Sequence, residues 1–245
     1  MSGIEIIKNE KLKLTTPKFL CDDNPVGEHL NRYPMLKHLN TYGFTGIIGK
    51  PGSGKTSLLV SFLTGRGKNK IFRKCFNHLL LVMPTSSRES MAKNIFEKHD
   101  TNKMWDELDY TTTEKIYEKL LASTEQGEST LLVLDDVGAS LKNKDIQKLL
   151  RLIIYNRRHL KVHIVILIQS FLSLPKEVRK LLTNIIMFKP SKVEFENLMD
   201  ECFEMKKDKA IDLMHYVYNK PHQYLFLNIE NQKMYTDFDE IIMPE

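Results

Sequence analysis

At 245 residues and 42% hydrophobic, the chain is long enough to bury one substantial α/β core, and its apolar runs fall far short of the ~20 residues that span a bilayer. Lysine and arginine outnumber the acids by 36 to 31, a net charge of +5 that is compatible with a nucleic-acid partner without requiring one. Cys21, Cys75 and Cys202 are odd in number and far apart, which excludes a disulfide framework or zinc site and suits a reducing compartment, and the opening MSGIEIIKNEKLK lacks the apolar segment of a secretory leader.

Residues 1–40 are punctuated by Pro17, Pro25 and Pro34 and read as an irregular N-terminal arm that packs on the domain or reaches a neighbour. From there the pattern alternates. GFTGIIG is a buried strand and KTSLLVSFLT a helix; HLLLVMP is a second strand ending at Pro84, and SRESMAKNIFEKH a second helix. After TNKMWDELDY, the stretch TTTEKIYEKLLAS is a helix for Thr112 or Thr113 to cap, and TLLVLDD is a third strand. Ile146, Leu149, Leu150, Ile153 and Ile154 recur at helical spacing between Asp145 and Tyr155.

VHIVILIQ is a fourth strand, PKEVRKLLT a short helix with Pro175 in its first turn, and NIIMF a fifth strand. Two helical stretches and an extra strand, QYLFLNI, lie beyond Lys189. Continuous apolar strands separated by helices predict an α/β fold, a mainly parallel sheet covered by helices on both faces. The expected division is an arm over 1–40, a core over 41–190, and a C-terminal helical and strand elaboration of the same domain over 191–245.

The stretch GKPGSGKTSLLVSFL, from Gly49, matches G-x-x-x-x-G-K-[ST] in full, between a strand and a helix. This is the phosphate cradle of P-loop nucleotidases. Gly49, Gly52 and Gly54 let the backbone approach an anion, so that several N–H groups and a helix N-terminus point at it. Lys55 supplies positive charge to the β- and γ-phosphates of ATP, and the Thr56 hydroxyl ligates Mg²⁺. Pro51, Ser53 and Ser57 complete the nucleotide-binding stretch.

Such a loop needs a carboxylate at a second strand end, and LLVLDD provides two. Asp135 is the expected holder of hydrated Mg²⁺, and Asp136 stands where a carboxylate orients or deprotonates the attacking water. DDVG also satisfies D-x-x-G, a GTPase switch, but the guanine-reading [NT]-K-x-D is missing, and NKD at Asn143–Asp145 is one residue too short. Gln169 closes the otherwise apolar strand VHIVILIQ. In the ASCE group of P-loop ATPases that strand lies between the Walker A and Walker B strands, so its polar end faces the γ-phosphate as a sensor.

Asn156 to Phe188, NRRHLKVHIVILIQSFLSLPKEVRKLLTNIIMF, resembles the core of the FtsK–HerA superfamily, and within it the poxvirus-type genome-packaging ATPases. An Arg-His pair precedes the glutamine strand in that family, and a Pro…Arg helix follows it. The resemblance covers roughly residues 40–190, and the length and flanks are similar to those of virophage packaging ATPases of the Sputnik type. It implies a RecA-like, DNA-translocating ATPase with Lys55 and Thr56 on phosphate and metal, Asp135 and Asp136 as the Walker B pair, and Gln169 as sensor.

Arg158 and Arg179 match the two family arginines, and both are candidates for a finger donated to a neighbour's nucleotide. Asp136 replaces the glutamate common in the superfamily, a shorter side chain that needs a closer water. The resemblance further implies a homo-oligomeric ring of five or six subunits acting on double-stranded DNA at a capsid or portal vertex, without a membrane. Its location would be the host cytoplasm, a virus factory or the virion.

About 55 residues follow the fifth strand, too few for the nuclease of terminase-type motors. The rival expectations are a helicase-like or conjugation-type translocase on the same core, and a nucleotide-binding scaffold with little turnover. Two loose basic clusters, Arg66, Lys68, Lys70, Arg73 and Lys74, and Lys206, Lys207 and Lys209, read as solvated loops ahead of DNA contacts. Trp105, Tyr110 and Thr85–Ser87 read as packing and loop capping ahead of DNA or adenine contacts.

Overall fold

Two apolar faces alternate along each central strand, and this builds the molecule. In β4 (Thr130–Asp135), Leu132 and Leu134 enter one core while Leu131 and Val133 enter the other. β5 (Val162–Ile168) does the same, with Ile164, Ile166 and Ile168 on the first face and Val165 and Leu167 on the second. A strand buried on both sides has no polar alternation, which is why these segments read as unbroken apolar runs.

The computed structural model describes residues 42–65, 71–91, 94–236 and 239–242; the expected arm, Cys21, and the basic residues Arg66, Lys68 and Lys70 lie outside them. The remaining strands are β1 (Phe44–Ile48), β2 (His78–Val82), β3 (Met104–Trp105), β6 (Asn184–Phe188), β7 (Tyr224–Asn228), β8 (Lys233–Thr236) and β9 (Asp239–Ile241). They form one nine-stranded sheet in the order β3-β2-β4-β5-β1-β6-β7-β8-β9. β1 to β6 run parallel, and β7, β8 and β9 join antiparallel. β5 lies between β1 and β4, as expected of the strand that ends at Gln169.

The first face is covered by α3 (Tyr110–Glu125), α4 (Lys144–Tyr155), α5 (Lys176–Arg179), α6 (Lys192–Phe203) and α7 (Lys207–Val217), and the second by α1 (Lys55–Thr64) with the segments around Phe72 and Phe96. Helices thus cover both sides, unequally.

Four expectations change. The helix over SRESMAKNIFEKH shrinks to α2 (Thr85–Glu89), and farther on the Asn94 side chain accepts from the Phe96 N–H where a helix was expected to continue. α3 is capped three or four residues earlier than its threonines suggest: Asp109 caps it by accepting from the Thr112 N–H, and Thr112 and Thr113 are buried within its first turns. Pro175 stands just before α5 and not inside it. β3, β8 and β9 are additional, since two to four residues carry no periodicity to detect.

Trp105 packs on the first core, and the Thr85 hydroxyl donates to Asp106, in line with packing and loop capping. The NKD triplet is a helix cap, with the Asn143 side chain accepting from the N–H groups of Asp145 and Ile146.

Candidate functional site

Because β1, β4, β5 and β6 are parallel, their C-terminal ends share one edge of the sheet, the edge where open α/β sheets bind ligands. β1 delivers the loop Gly49–Gly54, which runs straight into α1. Gly49 is fixed by its N–H donating to Ile168 O at 3.1 Å, and a Cβ there would sit 2.6 Å from Ser53 Oγ and 2.8 Å from Phe188 Cβ. No larger residue fits that approach.

Gly52 and Gly54 hold φ of 75° and 106°, so the loop reverses and enters α1 in a conformation that a side chain would strain. No side chain caps α1, and its first-turn N–H groups face the loop's concavity with the positive end of the helix dipole. Ser53 Oγ is buried without a hydrogen-bond partner, a polar atom inside the cradle.

Lys55 is the first residue of α1. Its Nζ folds back to donate to Gly49 O at 2.6 Å and Lys50 O at 3.2 Å. Burial lowers its pKa, opposed by the nearby charges of Asp135 and Asp136. Asp135, at the end of β4, is buried; desolvation and the Asp136 charge push its carboxyl up to about 6, against the pull of Lys55. The next residue, Asp136, is exposed and held in the left-handed region at φ 54°. Backbone in that region is costly for a non-glycine residue and turns the carboxylate off the strand axis. Gln169, one residue past β5, points Nε2 at Asp136 Oδ1, 3.5 Å away.

The predicted phosphate residues Gly49, Pro51, Gly52, Ser53, Gly54, Lys55, Thr56 and Ser57, the acids Asp135 and Asp136, and Gln169 are therefore neighbours on three adjacent strand ends. The arginines are not with them. Arg158 is exposed in the turn that precedes β5, at the opposite edge from Gln169. An extended chain from Arg158 to Gln169 would cover ~35 Å, but residues 156–161 are folded into turns, so the seven residues of β5 set a separation nearer ~23 Å.

Arg179 is clamped. Its Nε donates to both carboxylate oxygens of Glu201 at 3.0 Å, Nη1 donates to Leu174 O at 3.3 Å, and the guanidinium lies 5.1 Å from the Phe171 ring centre. Sequence inspection also passes over Phe188, His222 and Tyr224, which line the cleft beside Gly54–Leu58. Phe188 was legible in kind, being the residue at the C-terminal end of a parallel strand; the loop carrying His222 matches no motif.

A family model described as poxvirus A32 protein matches residues 32–242. Among solved structures, the genome packaging NTPase B204 from Sulfolobus turreted icosahedral virus 2, in complex with AMPPCP, is similar with a TM-score of 0.59 and 16% identity, over 83% of this chain and 100% of that one. The same protein in complex with ATP-gammaS gives 0.58 and 16% over 79% and 95%. EssC (ATPases 2 and 3) from Geobacillus thermodenitrificans gives 0.56 and 12% over 83% of this chain and 40% of that one. At these identities the likeness establishes the fold, a P-loop ATPase fold. No curated protein matches the sequence. Among the described residues no helix is long and apolar enough to cross a membrane.

Proposed function

The chain belongs to the poxvirus A32 protein family, and from that premise we propose that it is an ATP-hydrolysing motor that drives double-stranded DNA into a viral capsid. The observation that carries this is the convergence of Lys55 after β1, Asp135 and Asp136 at the end of β4, and Gln169 after β5 at one edge of three adjacent strands. The nucleotide-bound packaging NTPase on the same fold supports it.

Lys55 and the first-turn N–H groups of α1 hold the β- and γ-phosphates. Asp136, exposed and turned off its strand, orients or deprotonates the attacking water, and Gln169 senses whether the γ-phosphate is present. Thr56 and Asp135 suit Mg²⁺, being hard oxygen donors, and the raised carboxyl of a buried Asp135 is the kind that a cation restores to the ionised state. Once bound, the ion neutralises charge on the phosphate oxygens.

An arginine is still needed to meet transition-state charge. Arg158, exposed in the turn at the opposite edge of β5 from Gln169, is positioned to face a neighbour's nucleotide and is the favoured finger, supplied across the interface of a ring of five or six subunits seated at a capsid or portal vertex. Such a motor works in the host cytoplasm, the virus factory or the virion.

The deciding experiment is a steady-state ATPase assay with Mg²⁺, with and without duplex DNA. Turnover that rises with duplex DNA and falls at least ~10²-fold in Lys55→Ala is expected. Near-wild-type turnover in Lys55→Ala, or none in the wild type, would remove the proposal.

A further inference from the structure

The phosphate cradle is only one end of its cleft. The same hollow, about 600 Å³, continues past Ser57 and Leu58 to a wall made by Phe188, His222 and Tyr224. This wall stands on the β6–β7 side of β1, whereas Asp135, Asp136 and Gln169 stand on the β4–β5 side. A nucleotide lying along the loop with its terminal phosphate toward those acids therefore sends its base toward the three rings.

Two of the rings are general. Phe188 and Tyr224 meet edge to face with centroids 5.8 Å apart, and both are buried, so they form a fixed apolar surface. Such surfaces hold any base by its π-face and do not choose between bases.

His222 differs. It is exposed, its backbone sits in the left-handed region at φ 61°, and its Nδ1 lies 3.1 Å from Ser53 O. A carbonyl oxygen only accepts, so Nδ1 carries the proton and donates. Nε2 of the neutral ring is then an acceptor and cannot donate. The P-loop itself, through Ser53 O, thus sets the polarity of Nε2, the remaining polar ring atom of a residue that lines the cleft.

We propose that His222 is the specificity residue of the nucleotide site, accepting at Nε2 a hydrogen bond from the 6-amino group of adenine. A 6-oxo purine, guanine or hypoxanthine, brings a lone pair to the same point and is rejected. The proposal rests on the nucleotide reading above and adds to it which base is taken and what takes it.

The test is calorimetric binding of ADP, inosine diphosphate and pyrophosphate to the full chain at pH 8. The two nucleotides differ in amino against oxo at the 6-position and in the N1–H that the oxo form carries, and pyrophosphate has no base. The wild type should prefer ADP over inosine diphosphate by about tenfold, the worth of one good hydrogen bond against an unpaired acceptor. His222→Asn tolerates the left-handed backbone and keeps an amide N–H for Ser53 O. It should bring the ratio toward one and leave pyrophosphate affinity unchanged.

His222→Arg, which has only donors, should favour inosine diphosphate. Equal affinities in the wild type, or an unchanged ratio in both variants, would overturn the proposal while leaving the nucleotide site intact. Parallel loss of pyrophosphate would make His222 a clasp on the loop, which also overturns it. A wild type that binds none of the three would take down the nucleotide site and this inference with it.

Discussion

Asp135 and Asp136 are chemically identical and adjacent, yet their surroundings divide them. Asp135 ends a buried strand, and Asp136 is exposed in a left-handed turn. Asp136→Asn should bind nucleotide normally and lose turnover by about 10²- to 10⁴-fold, because an amide takes no proton from water. Asp135→Asn should weaken Mg²⁺-dependent nucleotide binding. Equal nucleotide affinities in the two variants would refute that division.

Asp135 also carries a stability cost. Its carboxyl is raised to about 6 in the fold against an ordinary 3.8, so the folded state binds its proton more tightly than the unfolded chain does. The associated stability is fully present below 3.8 and is lost as pH rises through 6, on the order of 2–3 kcal/mol. In EDTA, Asp135→Asn should therefore melt higher than wild type at pH 8, with the advantage vanishing toward pH 4. A melting difference independent of pH would show that burial is not what raises this carboxyl.

At the scale of elements, α5 is only four residues long and cannot hold itself. Arg179 at its end ties it to α6 through Glu201 and stacks on Phe171, with a side chain only 14% exposed. Arg179→Ala should cost about 2 kcal/mol of stability, combining a bidentate ion pair and a cation–π contact. Arg158, exposed in the turn before β5, should cost less than about 0.5 kcal/mol when changed to alanine, whatever it does to turnover. Denaturant titration of the two variants separates a residue that holds an element from one that is presented outward. The reverse ranking would exchange their roles.

At the scale of the whole molecule, the sheet keeps Lys55 and Arg158 at opposite edges, so on the proposed reading Arg158 serves a neighbour's nucleotide and not its own. Mixing Arg158→Ala with Lys55→Ala, each inactive alone, should restore part of the activity, because an intact Lys55 site receives Arg158 from the neighbour. A finger is worth ~10³- to 10⁵-fold in turnover, so rescue is easily seen. Rescue only when Arg179→Ala replaces Arg158→Ala would move the finger to Arg179. Duplex DNA affinity should fall at least about tenfold between 50 and 200 mM salt with no preferred sequence, since a motor grips phosphates. A flat salt response would count against translocation.

Local chemistry made the glycine loop, the paired acids at a strand end and Gln169 stand out in the linear chain, and the fold brings them to one edge of the sheet. A cradle needs glycines at set spacing, a metal site needs a carboxylate at a strand end, and a doubly buried strand needs an unbroken apolar run. The parallel order and both covered faces followed from the same runs. What the chain could not announce depends on residues distant in sequence. That Arg179 is tied down depends on Glu201, 22 positions on, and α3's cap on the geometry of Asp109 against Thr112. The wall of Phe188, His222 and Tyr224 exists because β7 folds back antiparallel beside β6 and carries its preceding loop to Ser53, 169 positions away from His222. Periodicity and motifs report a residue's own strand or helix, whereas such meetings are set by the register between strands, and only the tertiary structure decides that.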